Sequence, residues 1–299
     1  MSGDAGHRAN RADSGPKLLR SEWALRQSEL GNLPQAVLLR NLSPEINEVI
    51  DAWHRDLLRW ALAPLARTPG CWVADLGCGY GRLANEIATL GPHNVIGLDS
   101  ESGFCRQYQA DYGLAVRGSV DAPPFCSDVL SAAYSVTALM YVGKEGARTG
   151  LQRLSPSLKR GARILLLEAG AEFNGISRFV LRGKRTQALS VRGFSQHDLC
   201  SIVPAEWKIL ATGANAGLSF LLPLLICLRR WSRGFTWVSN LARWIDRPAD
   251  GLRDRGWRRV GLHRWVLCET PGADPGRVTP ATSTAAICNP ETPNTPPLT

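Results

Sequence analysis

The segment from Val73 to Leu83 constrains this chain most. Val73, Ala74, Asp75 and Leu76 form a short, mainly apolar run that breaks into three alternate glycines, Gly77, Gly79 and Gly81, before a helix-compatible pattern resumes at Leu83. Glycine tolerates left-handed backbone and lets other atoms approach closely, so three at alternate positions mark a tight strand-to-helix turn built against a ligand. A helix opening after such a turn presents free N–H groups to a carboxylate or phosphate. The expectation is a ligand-binding loop at the end of a first strand.

The rest of the chain repeats that alternation of short apolar runs and helix-compatible stretches, which predicts βαβ units and a mostly parallel sheet. Strands are read at Trp72 to Leu76, Asn94 to Leu98, Ala115 to Arg117, Ala132 to Val136 and Arg163 to Glu168, with two more near Trp207 to Thr212 and Arg264 to Glu269. The fold class is therefore α/β with a seven-stranded sheet. Before the first strand, Ile46, Val49, Ile50, Trp53, Leu57, Leu58, Ala61 and Leu62 recur at helical spacing, and Ser43 with Pro44 suits a cap and first turn. Residues 1–68 are read as a disordered start and a helical cap, and 69–270 as the core with a helical insertion at about 213–258 before the last strand. Residues 271–299, with seven prolines, are read as a disordered tail.

What the loop holds is narrowed by what is missing. A dinucleotide fingerprint needs a third glycine where Arg82 stands, and no phosphate-binding G-x-x-x-x-G-K-[ST] occurs anywhere in the chain. Asp99 closes the next strand, 22 residues after Gly77, where a carboxylate can accept both hydroxyls of a ribose lying across the sheet's switch point. A nucleoside without pyrophosphate satisfies both observations.

The string from Val73 to Leu83 resembles the first motif of class I S-adenosylmethionine-dependent methyltransferases, and the order of segments over Cys71 to Glu168 is similar to theirs. The resemblance implies a Rossmann-like three-layer sandwich and S-adenosyl-L-methionine as cofactor. It implies that the loop of Gly77, Cys78, Gly79 and Gly81 wraps the methionine portion, that Asp75 sits near the amino group, and that Asp99, with Ser100, holds the ribose. Arg117 to Phe125 resembles the segment after strand three, where Ser119 replaces the usual acid, so adenine recognition falls to Ser119, Val120 or Asp121. Tyr134 to Val142 resembles the strand-four motif beside the transferring methyl, which adds Ser135 to the cofactor set; Ser131 stands where an acid often precedes that strand.

Methyl transfer from a sulfonium asks a protein for orientation and exclusion of water. An acceptor hydroxyl or ammonium also needs a base, and the candidates are Tyr141, Glu168 and His197. Each has a plainer reading: a pocket wall for Tyr141, a sheet-edge pair for Glu168, the first turn of a helix for His197. No metal site is expected, because the eight cysteines form no C-x-x-C pair and none has a histidine at ligand spacing; they read as reduced thiols.

The leading function is methylation of a small molecule such as a natural product, sugar or lipid-like acceptor. The alternatives are an RNA methyltransferase and an inactive S-adenosylmethionine-binding regulator. The formal charge of +9 is carried by 30 arginines and only five lysines, ten of the arginines lying between Arg229 and Arg264 against three acids. A second cluster comprises Arg178, Arg182, Lys184, Arg185 and Arg192. Interleaved with the first are Trp231, Trp237, Trp244, Trp257 and Trp265, preceded by a mostly apolar stretch from Gly217 to Leu228. This insertion reads first as a buried or cap helix, second as a peripheral contact with an anionic membrane surface, third as a face for RNA or an acidic ligand. No DNA partner is expected, oligomeric state is open, and the absence of an apolar leader or of a run long enough to span a bilayer points to the cytoplasm.

Overall fold

The structure, a computed structural model, describes residues 15–31, 33–38, 42–171, 193–247 and 261–272. The strands are β1 (Trp72–Leu76), β2 (Asn94–Asp99), β3 (Leu114–Arg117), β4 (Leu130–Val136), β5 (Leu158–Ala169), β6 (Lys208–Ala214) and β7 (His263–Glu269). They form one sheet in the order β3-β2-β1-β4-β5-β7-β6. The first five run parallel, and β7 lies antiparallel between β5 and β6. All seven strands fall where the apolar runs predict them, within a few residues. The largest difference is at β5, which begins five residues early at Leu158.

Among the described residues eight α-helices flank the sheet: α1 (Gly15–Leu30), α2 (Pro44–Leu62), α3 (Ala84–Ala88), α4 (Ser102–Tyr112), α5 (Gly143–Leu154), α6 (Gln196–Ser201), α7 (Ala216–Leu228) and α8 (Ser232–Ile245). Central strands are buried on both faces, as Ile164, Leu165, Leu166 and Leu167 show, so they read as continuous apolar runs. On one face Ala133, Ile164, Leu166 and Val266 pack against Ala147, Leu151 and Leu154 of α5 and Leu199 of α6. On the other, Val73, Ala132, Tyr134, Leu165 and Leu167 meet Trp53, Leu57, Leu58 and Leu62 of α2. The eight periodic residues read from the α2 sequence are all buried, and that helix forms part of a layer flanking the sheet.

The insertion is a helical hairpin, α7 followed by α8. Leu218, Leu222 and Leu225 of α7 and Val238 and Ala242 of α8 share a buried cluster with Ile46, Val49 and Ile50 of α2. Asp246, just past α8, accepts the N–H groups of Gly217 and Leu218, both at 2.7 Å, and so supplies from another helix the acceptor that the first turn of α7 lacks. A Cβ at Gly217 would lie 2.7 Å from Ile245, so glycine there lets the helices close.

Cys71, Cys78, Cys105 and Cys268 are buried free thiols, as expected. Cys126, only half-buried, is disulfide-bonded, which corrects the reading of reduced thiols throughout. The arginine cluster of Arg178, Arg182, Lys184, Arg185 and Arg192, together with Trp257 and the tail after Gly272, lies outside the described residues. Among the described residues no group of side chains could hold a metal ion, and no helix is long and apolar enough to cross a membrane.

Candidate functional site

The chain leaves β1 through Gly77 (φ +78°), Gly79 (φ +53°) and Gly81 (φ +87°), all in the left-handed region. Their neighbours leave no room for side chains. A Cβ at Gly77 would fall 2.2 Å from that of Ala138, and one at Gly79 would fall 2.9 Å from Cγ1 of Val37. The loop's amides are spent on β2: Gly77 and Cys78 donate to the Leu98 carbonyl at 2.7 and 3.1 Å, and Gly79 donates to Oδ2 of Asp99 at 2.9 Å. The helix that follows, α3, begins only at Ala84 and is five residues long. The amides of Gly77, Cys78 and Gly79 are thus not free for an anion.

Asp99 is the hinge of the arrangement. Its Oδ1 accepts the Glu101 N–H at 2.9 Å while Oδ2 holds Gly79, leaving each oxygen a further lone pair. Burial raises its carboxyl above the ordinary value, opposed by these backbone donors. Beside it opens a cavity of about 380 Å³. Gly77 and Gly79 from the loop, Asp99 and Ser100 after β2, and Gly118, Ser119, Val120 and Asp121 after β3 line it. Trp23, Phe104 and Tyr141 give it an aromatic wall, with Trp23 and Tyr141 edge to face at 5.0 Å. Its volume falls in the range of small-molecule sites.

Seven of the predicted residues therefore meet at one cavity: Gly77, Gly79, Asp99, Ser100, Ser119, Val120 and Tyr141. Four more of the cofactor set, Asp75, Cys78, Gly81 and Ser135, do not line it. Asp75 is buried beneath the loop and accepts the Tyr134 hydroxyl at 2.8 Å, with burial raising its carboxyl to about 7. The Cys78 thiol points to the opposite side, against Gly97, Cys105 and Tyr108, and burial pushes it well above the usual thiol range. Gly81 faces the rings of Tyr108 and Tyr112 on α4. Ser135 is fully buried, with its hydroxyl 3.5 Å from Oε1 of Glu168.

Glu168 itself is buried and engaged. Its Oε1 accepts the N–H groups of Ala138 and Leu139 at 3.1 and 2.9 Å, and Oε2 accepts that of Met140 at 3.2 Å. These are the first amides of the short 3-10 turn, Leu139–Tyr141, that carries Tyr141 to the cavity. Burial raises the carboxyl to about 7 and the three amides work against that shift. His197 is exposed on α6 and does not line the cavity. Of the three candidate bases, only Tyr141 reaches the site.

Sequence reasoning missed Trp23, Val37, Phe104, Thr137 and Ala138. Thr137 holds φ 57°, rare for a β-branched residue, with its N–H donating to the Leu167 carbonyl at 2.7 Å. No sequence signal announces that strain. Arg82, in place of a third glycine, bonds Asp51 and donates to Nδ1 of His54 at 3.0 Å, tying the glycine loop to α2. Its side chain is 7% exposed, so this is a buried anchor. His54 packs edge to face on His263, and both are held below the ordinary histidine range by burial and then by Arg82, His263 to about 3.

Residues 73–161 match a family model described as a methyltransferase domain. The O-methyltransferase resE of Aspergillus sclerotiorum is 26% identical over 133 residues, covering 42% of this chain and 50% of that protein, so the chain spans about half the length of the curated relative it matches. Among solved structures, the plantazolicin methyltransferase BpumL, in complex with a pentazolic desmethylPZN analog and SAH, superposes with a TM-score of 0.51 at 12% identity over 85% of this chain and 98% of that one. A protein of Galdieria sulphuraria assigned as a sarcosine dimethylglycine methyltransferase gives 0.50 at 15% identity, over 75% of this chain and 86% of that one. Residues 73–161 thus match a methyltransferase domain, and the whole sheet with its flanking helices has the Rossmann-like α/β fold of these solved methyltransferases.

Proposed function

We propose that the protein transfers a methyl group from S-adenosyl-L-methionine to a small-molecule acceptor, a natural product, sugar or lipid-like compound. The observation that carries this reading is the Asp99 carboxylate, fixed by one backbone donor on each oxygen beside a cavity whose glycines exclude any side chain. That set fits a nucleoside: an acceptor pair for ribose hydroxyls, a lining of Ser119, Val120 and Asp121 for a base, and spent amides where a pyrophosphate would need free ones. BpumL was crystallised with a desmethylPZN analog, and the Galdieria sulphuraria protein is named for sarcosine and dimethylglycine, all small molecules, which supports the acceptor class.

When bound, the cofactor supplies an electrophilic methyl on a sulfonium leaving group. The chain's part is positional. Gly77 and Gly79 admit the ligand, Asp99 orients it, and Trp23, Phe104 and Tyr141 keep water out. Burial raises the Tyr141 phenol above its ordinary value, so at neutral pH it is an un-ionised hydrogen-bonding partner for the acceptor.

A cofactor-binding protein without turnover is the second reading, favoured because Glu168 and His197 both lie away from the cavity. Calorimetric titration with S-adenosylmethionine, against NADH as control and with Asp99→Ala alongside, tests binding. A labelled-methyl screen of lipid, sugar and RNA pools then decides turnover: one labelled small-molecule product supports the proposal, labelled RNA alone replaces it, and binding with no product leaves the second reading.

A further inference from the structure

The α7–α8 hairpin turns its greasiest side chains outward. On α7, Phe220, Leu224 and Cys227 occupy i, i+4 and i+7 of an exposed stripe opposite buried Leu218, Leu222 and Leu225. On α8, Trp237 and Trp244 lie i and i+7 on the face opposite buried Val238 and Ala242. Trp231 stands at the tip between the helices. Phe220, Trp231, Trp237 and Trp244 are 66%, 64%, 65% and 71% exposed, well beyond what large aromatic side chains usually leave in water.

Within the hairpin itself charge comes in one sign only, although Glu45 of α2 feels Arg229. From Ala216 to Ile245 there is no Asp or Glu, while Arg229, Arg230 and Arg233 are exposed around Trp231. Arg243 is the exception, since it pairs with Asp56. Nucleic acid would answer the arginines but not a wholly apolar row of Phe220, Pro223 and Leu224. A bilayer interface answers both: hydrocarbon for the row, head groups for the indoles, anionic phosphates for the cations. At 13 residues, or about 20 Å of helix, α7 is too short to span a membrane, which fits a hairpin lying in the interface.

We propose that the outer face of the α7–α8 hairpin docks the protein onto the surface of an anionic lipid bilayer. Val37, in the cavity wall, packs against the buried cluster behind this hairpin, so the docking face and the cavity are built on the same support. The docking does not depend on the reaction catalysed.

The full chain would be sedimented with vesicles of phosphatidylcholine alone and with vesicles containing one-third phosphatidylglycerol, at low and high salt. Two variants accompany it: Trp231→Ser/Trp237→Ser/Trp244→Ser and Arg229→Gln/Arg230→Gln/Arg233→Gln, each confirmed folded by circular dichroism. Binding to the anionic vesicles, weakened more than tenfold in the tryptophan variant and roughly fivefold per arginine in the other, with loss at high salt, is the expected result. Quenching of tryptophan emission by brominated lipid should occur in wild type and largely vanish in the tryptophan variant. No preference for anionic vesicles, or binding untouched by both variants, overturns the proposal. So does a wild-type dimer that the tryptophan variant abolishes in sedimentation velocity, or tighter binding to a single-stranded RNA oligonucleotide than to the vesicles.

Discussion

The Glu168 carboxylate lies 2.9 Å from the amide nitrogen of Leu139, and that contact joins the end of β5 to the turn leaving β4. With the Ala138 and Met140 amides it makes one side chain the acceptor for three buried donors. A buried amide stripped of its partner costs about 1–3 kcal/mol. Glu168→Ala should therefore destabilise the protein by roughly 3–5 kcal/mol, read as a lowered urea midpoint with unchanged slope. Turnover lost in Glu168→Gln with full stability and ligand affinity would instead make Glu168 the base.

Asp99→Ala removes the carboxylate proposed to accept the ribose hydroxyls, and with it the partner of Gly79. Each charge-assisted hydrogen bond is worth about 1.5–3 kcal/mol, so affinity for S-adenosylmethionine should fall more than tenfold. Calorimetry checks it, and unchanged affinity would remove Asp99 from the site.

Gly77→Ala puts a methyl 2.2 Å from Cβ of Ala138 and a side chain at φ +78°. The loop must shift for either reason. The expectation is loss of detectable ligand binding, with the chain still folded by circular dichroism because β1 itself is untouched.

The His263 ring takes up protons only near pH 3, against about 6.5 when unfolded, because burial and then Arg82 oppose its charge. The unfolded chain thus binds a proton that the fold refuses as pH falls from about 6.5 to 3. Each pH unit in that window should cost on the order of 1 kcal/mol for this one side chain. Asp75 and Glu168, both raised to about 7, act in the opposite sense: their contribution is full below about pH 4 and is lost as pH rises through 7. The difference between wild-type and His263→Gln stability curves isolates the histidine, and parallel curves from pH 6.5 to 4 would show that His263 is not the cause.

The strands were legible because a sheet covered on both faces needs unbroken apolar runs, and because Gly77 and Asp99 sit where backbone and carboxylate requirements coincide. The part of the cavity lined by Gly77, Gly79 and Asp99 follows from local sequence. Its aromatic wall does not. Trp23 comes from a helix some fifty residues before the glycine loop, and α1 has no clear apolar stripe to say which face turns inward. Glu168 illustrates the other limit: a glutamate closing a strand looks the same whether it faces substrate or, as here, three amides of its own chain. Arg82 was read only as a missing glycine, since its partners Asp51 and His54 belong to a distant helix.

Arg82 also bears on redesign. Replacing it with glycine would complete a dinucleotide fingerprint on paper, the sort of single change a motif search would recommend for switching cofactor class. The amides of Gly77, Cys78 and Gly79 would remain committed to β2, and α2 would lose its tether to the loop. Such a variant should gain no grip on a pyrophosphate and lose stability, because Asp51 would keep only Arg55 as its ionic partner and His54 would lose its donor. Changing what this scaffold carries would require a different second strand, not a different letter in the loop.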